Sequence, residues 1–321
     1  MSNTPTQPDT LRSLEWAQVD VFAKNALEGN MLAVFPDARG LTTQEMQALA
    51  RETNLSETTF VLPRDAATEQ QHGVQVRIFT TQEELPFAGH PTLGTASWLW
   101  WNHPTLRGAG EIRLDLPAGP IPVRFPATTD TEPGVFAEMR QRDPEFGPLH
   151  EKSPVAAALG LSPDDLHPTL PIQTISTGMP FCIVPLRSLQ VASRLRIPQE
   201  RAAEYLAAYA SKFFYCVTPA AEGSGADWHA RMQFYNGEDP ATGSAAGCAI
   251  AYLVKHGAVA SQQPIILEQG VEMLRPGKIH ARARALGANV DEIFVGGRTI
   301  PVAKGRFFLP RCTRFQQDDL A

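Results

Sequence analysis

The 321-residue chain lacks the short signatures that announce the commoner chemistries. No Gly-x-Gly-x-x-Gly or phosphate-loop sequence occurs, so the chain offers no nucleotide-binding loop. Its eight histidines form no His-x-His or His-Glu-x-x-His pair, which leaves a metal site unsupported. No serine or cysteine sits in a recognisable nucleophile elbow, so a hydrolase has least support. Charged residues reach only 19% against the usual ~25%. The net charge is −6 and no basic run exists, which argues against nucleic acid or an anionic membrane surface as a partner. No apolar run approaches the ~20 residues of a membrane span. The four cysteines (Cys182, Cys216, Cys248 and Cys312) show no paired spacing and point to reduced thiols in the cytosol. Residues 1–13 contain no apolar signal-peptide core and read as a short disordered lead.

What the chain does have is an internal echo. His90-Pro91-Thr92-Leu93-Gly94-Thr95-Ala96 returns 149 residues later as Asp239-Pro240-Ala241-Thr242-Gly243-Ser244-Ala245. At the same offset, Gly29 to Val34 matches Gly178 to Ile183, each a glycine turn running into an apolar strand. The predicted elements repeat in order. In the first half, strands fall at 16–22 and 31–35, and a helix at 43–53 opens on a Thr42/Glu45 capping box. Strands at 57–62 and 74–80, a helix after His90, and strands near 111–116 and 121–125 follow. The second half has strands near 172–176 and 181–186, a helix near 199–210, and strands at 213–218 and 228–235. A helix after Asp239 and strands near 264–268 and 278–284 complete it. The proline-rich stretch 126–148 reads as the linker. The expected halves are 1–130, which the tail 302–321 could join, and 131–301.

The second helix of each half is apolar on nearly every face, over Leu93 to Trp101 and Ala245 to Val254. Such a helix is buried. The expected fold is therefore α+β: two similar halves, each a curved, mostly antiparallel sheet wrapped around a central helix, with a cleft between them.

Each central helix begins with polar chemistry. Pro91 and Pro240 suit a first turn, and His90 and Asp239 fall near the cap. Thr95 and Ser244 are expected to place a hydroxyl in that turn. Gly94 and Gly243 let a backbone or ligand approach. Unpaired N–H groups make a helix start an anion site, and two such starts facing one cleft would suit a small carboxylate. One motif alone fits an ordinary cap or loop residue; its paired occurrence favours a site. Glu57 enters the apolar strand Phe60-Val61-Leu62, where burial would raise its pKa toward the range of acid–base work. Chemistry by itself leaves Glu57 open to being a surface residue at a strand entrance. Asp164-Asp165 fits a helix start, and Ser97 to Trp101 fits core or a dimer face. Glu268 to Ile279 fits a hairpin whose Gln269-Gly270 could edge the cleft.

Taken in order, Val19 to Phe22, Gly29-Asn30, Asn54 to Val61, Ala88 to Ala96, Ser176 to Pro180, Asp239 to Gly247, Glu268 to Gly270 and Arg275-Pro276 form a distributed pattern. It resembles the PhzF-like phenazine biosynthesis family, which shares its fold with diaminopimelate epimerase. The resemblance implies an active site between the halves, no metal or organic cofactor, and commonly a homodimer. It places the family's acid–base glutamate on Glu57 and its supporting polar residues on His90, Asp239 and Ser244. Gly89 and Gly243 fall where backbone approaches substrate, and Gln269 joins them as a substrate-binding candidate. The implied reaction is isomerisation of dihydro-3-hydroxyanthranilate by moving a proton between carbons. Diaminopimelate epimerase would have cysteines near both helix starts; none stands there, which argues against two-thiol epimerisation. A racemase using Glu57 and Asp239, and a non-catalytic binding protein, are the alternative readings.

Overall fold

A computed structural model describes residues 11–127, 131–235, 237–287 and 289–310. The expected lead over 1–10, and Cys312 with the rest of the tail, lie outside the described residues. Residues 11–13, read with that lead, instead begin the first strand, Leu11–Val21.

The first half opens with Leu11–Val21 and Asn30–Phe35. The helix Thr43–Thr53 follows. Thr42 accepts from the Glu45 N–H at 3.2 Å, and the Glu45 carboxylate takes the Thr42 N–H at 2.8 Å. Asn54 ends this helix in the left-handed region, at φ 51°. That reversal delivers Glu57 directly to the start of Glu57–Leu62, parallel to Asn30–Phe35. Val74–Phe79, Glu111–Leu116 and Gly119–Arg124 continue the sheet. The stretch expected to link the halves contains one strand, Val135–Arg140, and the start of a second, Glu145–His150. Val135, Ala137 and Met139 are buried there. Their alternate spacing is the strand signal that the surrounding prolines and charges obscured.

The long strand Asn289–Pro310 joins everything. It pairs with Val135–Arg140, with Leu11–Val21 and with Gly277–Leu286. Pairing on both sides closes the first half into an eight-stranded barrel, while the second half runs on from the same strand as an open curved sheet. That second sheet passes through Ile265–Gln269, Trp228–Arg231, Phe213–Pro219, Pro180–Pro185 and Ile172–Ser176. Each half wraps a central helix, Gly89–Asn102 in the first and Gly243–Lys255 in the second. Ala245 to Leu253 of the second helix are all buried, as uniform apolarity requires. Gly94 is needed in the first helix because a Cβ there would lie 2.6 Å from Leu32 and 2.7 Å from Val21.

Candidate active site

The two central helices meet end to end. A Cβ on Gly89 would lie 3.3 Å from the Ser244 backbone nitrogen, a tight contact, so glycine eases the close approach of the two starts. The first helix begins at Gly89, with extended Ala88 before it, and His90 is its second residue. The second begins later relative to the repeat, at Gly243, with Thr242 before it. Ser244 therefore stands in a first turn. Its counterpart Thr95 does not: it lies deep in the helix, fully buried, and donates to Thr59 Oγ1 at 2.9 Å. Asp239 likewise precedes its helix instead of capping it.

Asp239 is held by its neighbours. Its backbone N–H donates to the Met232 carbonyl at 3.0 Å. Its carboxylate takes the Thr242 hydroxyl at 2.5 Å and the Asn30 amide at 2.8 Å. Asn30 comes from the first half and also donates to the Ala241 carbonyl at 2.9 Å. Its Nδ2 lies 3.4 Å from His90 Nδ1. His90 Nε2 in turn lies 3.5 Å from Glu57 Oε2. Glu57, His90 and Asp239 thus converge, with Asn30 between the last two. Sequence reasoning singled out the Gly29-Asn30 turn but not the Asn30 side chain; a polar residue where the other half has Met179 was the available signal.

Burial sets the protonation of this group. Desolvation and then the charge of Asp239 raise Glu57 to about 8. Desolvation lowers His90 to about 3 despite a hydrogen bond to the Met31 backbone, so the imidazole is neutral. Asp239 is raised to about 6 by desolvation, against the hydrogen bonds from Thr242 and Asn30. Near neutral pH Glu57 holds its proton and Asp239 has mostly lost its own. Two carboxyl groups pushed apart in this way take different roles. Asn30 Oδ1, Glu57 Oε2 and His90 Nε2 are also buried without a hydrogen-bond partner. Buried polar atoms are rarely left unmatched, so three together make this spot a candidate for contact with a ligand.

Two expected binding residues act differently. Gln269 is fully buried, and its amide is saturated inside the protein. Its oxygen accepts from Tyr215 Oη at 2.9 Å and from the Thr242 N–H at 3.1 Å. Its nitrogen donates to the Asp239 carbonyl at 2.7 Å and to Thr242 Oγ1 at 2.9 Å. It clamps the Asp239–Thr242 turn and has no valence left for substrate. Gly243 admits Phe22, whose ring would lie 2.9 Å from a Cβ there. Gly243 is thus small because of packing on that face.

Arg275 ties the halves together beside the site. It donates to buried Asp20 at 3.0 Å and to the Gly29 and Glu28 carbonyls at 3.2 and 3.1 Å. Two cavities, about 420 and 410 Å³, open instead near the far end of the first central helix, around Trp98 and Asn102. Neither is lined by Glu57, His90 or Asp239, and the chemistry concentrates at the helix starts. Among the described residues no cluster of side chains has the makings of a metal site.

Comparison with known proteins shows the family of the chain. Residues 19–305 match the model of the phenazine biosynthesis-like protein family. An uncharacterized isomerase of Mesorhizobium japonicum is 37% identical, covering 90% of this chain and 97% of the relative. The trans-2,3-dihydro-3-hydroxyanthranilate isomerase of Pseudomonas aeruginosa is 36% identical, covering 91% of this chain and 98% of the relative. A Bacillus anthracis phenazine biosynthesis protein of the PhzF family superposes with a TM-score of 0.82 at 25% identity. That likeness covers 93% of this chain and all of the other.

Proposed function

The chain belongs to the phenazine biosynthesis-like protein family and is an isomerase, and from that premise we propose that Glu57 carries a proton between two carbons of a small cyclic, unsaturated carboxylate. The observation that carries this reading is Glu57 itself. It is a carboxyl group raised to about 8, with an orphaned oxygen facing neutral His90. A group that must first take a proton and then return it works best with a pKa near the operating pH.

The step balances within the site. The Glu57 carboxylate takes a proton from one substrate carbon and becomes the acid. The electron pair left behind spreads into the substrate's unsaturated system toward its carboxylate. The acid then returns the proton to a different carbon, and Glu57 is ready again. The first N–H groups of each helix have no intrahelical acceptor, so the two abutting starts would hold the substrate carboxylate and its growing charge. Ser244 would add a hydroxyl donor and Gly89 the close backbone approach. Asp239, ionised at neutral pH, would hold an N–H or O–H group of the substrate. His90 would keep Glu57 oriented and share its proton through Nε2.

The substrate proposed is trans-2,3-dihydro-3-hydroxyanthranilate or a near relative, on the strength of the Pseudomonas aeruginosa likeness. A homodimer in the cytosol completes the reading. The half-exposed Trp98 and Trp101 offer a pairing face, and the three described cysteines are free. Light scattering on the purified protein checks the dimer. Proton NMR in D₂O checks the chemistry, with trans-2,3-dihydro-3-hydroxyanthranilate and with wild-type or Glu57→Gln protein. Conversion with deuterium uptake by the wild type only is expected. Equal turnover by the variant would remove Glu57 from the role.

A further inference from the structure

Behind Asp239 runs a buried chain of charges that the proposed proton transfer does not use. His229, on Trp228–Arg231, is 3% exposed and stands between two carboxylates. Its Nδ1 is 3.2 Å from Glu268 Oε1 and its Nε2 is 3.1 Å from Glu272 Oε1. Glu268 also receives Lys278 Nζ at 3.0 Å. Glu272 lies 3.7 Å from Arg231 Nε, and Arg231 grips both oxygens of Glu238 at 2.7 and 2.6 Å. The chain therefore reads Lys278, Glu268, His229, Glu272, Arg231, Glu238 without a gap. Its acidic members adjoin the site. Glu238 directly precedes Asp239, and Glu268 directly precedes Gln269, which clamps Asp239 and Thr242.

Two features specify the state of His229. Both ring nitrogens face carboxylate oxygens, which only accept, whereas a neutral imidazole has a single N–H. Three carboxylates also face two permanent cations, so the chain is neutral only with a third positive charge. We propose that doubly protonated His229 is a positioning residue, which holds the Asp239–Ser244 turn in place through its links to Glu268 and Glu272. This role rests on the place given to Asp239 above.

Burial works against the charge on His229, but the hydrogen bonds and charges of Glu272 and Glu268 outweigh it and raise the group above its ordinary value. Across the sheet it faces Thr218, which is uncharged, and Lys278 and Arg231 each stand beyond a glutamate. A raised histidine stabilises the fold fully below its unfolded value of about 6.5, and loses that contribution as pH rises through the folded value. The turn should therefore loosen on the alkaline side.

The test is an NMR titration of the labelled full chain in the Glu57→Gln background, where Glu57 no longer titrates. The expected His229 midpoint lies above about 6.5, with the amides of Asp239, Thr242 and Ser244 following the same midpoint. His229→Gln should abolish that amide component. Should His229→Gln fail to fold, Glu272→Gln serves, and should lower the midpoint by about one pH unit or more. A midpoint at or below about 6.5, or amides that ignore it, overturns the proposal. The readout needs no turnover, so failure of the Glu57 assignment and failure of this one are separately visible.

Discussion

The two halves repeat one plan and differ where it matters chemically. Leu32 pairs with Glu57 in parallel register, and 149 residues later Phe181 pairs with Phe213 in the same way. Equivalent strand entrances thus hold a carboxyl group in one half and a phenyl ring in the other. The helix starts differ too: His90 is already helical, while Asp239 lies on a turn held by Gln269. Duplication explains the pair of N–H-rich helix starts. It does not explain the proposed acid–base set, which draws Glu57 and His90 from one copy and Asp239 from the other. A symmetric pair of helix starts with asymmetric side chains suits the proposed transfer of one proton between two carbons.

The sharpest way to break this comparison is Glu57→Gln. Loss of a positioned acid–base group typically costs ~10²–10⁴-fold in turnover. The fold should survive, because Glu57 is raised and not anchored by an ion pair. A raised carboxyl weakens the folded state as pH climbs from its unfolded value of about 4.5 toward about 8. The variant should therefore melt no lower than wild type at pH 9, as calorimetry can show. In wild type, kcat/KM should rise with pH up to about 8, and that rise should vanish in the variant.

The second contrast concerns the turn that only the second half has. Gln269→Leu strands buried partners on Tyr215, Asp239 and Thr242, each unmatched group costing about 1–3 kcal/mol. Urea unfolding should show a loss of that order or larger, with turnover falling beyond what stability explains. Arg275→Met probes the tie between halves. It leaves Asp20 buried without its cation, and breaking such a pair costs about 3–5 kcal/mol. Asp20 already sits above the ordinary carboxylate value through burial, and loss of the Arg275 charge should push it further up.

The smallest contrast compares the equivalent hydroxyls. Ser244→Ala should lower kcat/KM about fivefold, the worth of one hydrogen bond of ~1 kcal/mol, and leave stability nearly unchanged. Thr95→Val should do the reverse. It removes the bond to Thr59 at about 1 kcal/mol of stability and spares turnover. Equal effects on activity from both variants would mean that the helix starts are more alike than their geometry says.

Much of the fold was legible because its signals are local. Thr42 and Glu45 mark a helix start through bonds three residues apart. Uniform apolarity over Ala245 to Val254 can only mean burial, and the common offset exposed the duplication. Short-range patterning of this kind settled many of the elements, the α+β class and the polar helix starts. The strands inside 126–148 were missed because prolines and charges dilute a two-residue alternation.

The remainder depends on contacts between distant parts of the chain. Asn30 meets Asp239 across 209 residues, and Arg275 meets Asp20 across 255. Whether Gln269 faces substrate or a turn, and whether Thr95 or Ser244 reaches the site, follows from where each helix begins once packed. The pKa of Glu57 belongs to the same class. The carboxyl group is encoded by one residue, but its proton affinity near neutral pH comes from surroundings that remove water and bring Asp239 close. Sequence alone determined which groups were available; the tertiary structure decided which of them meet, and how strongly each holds its proton.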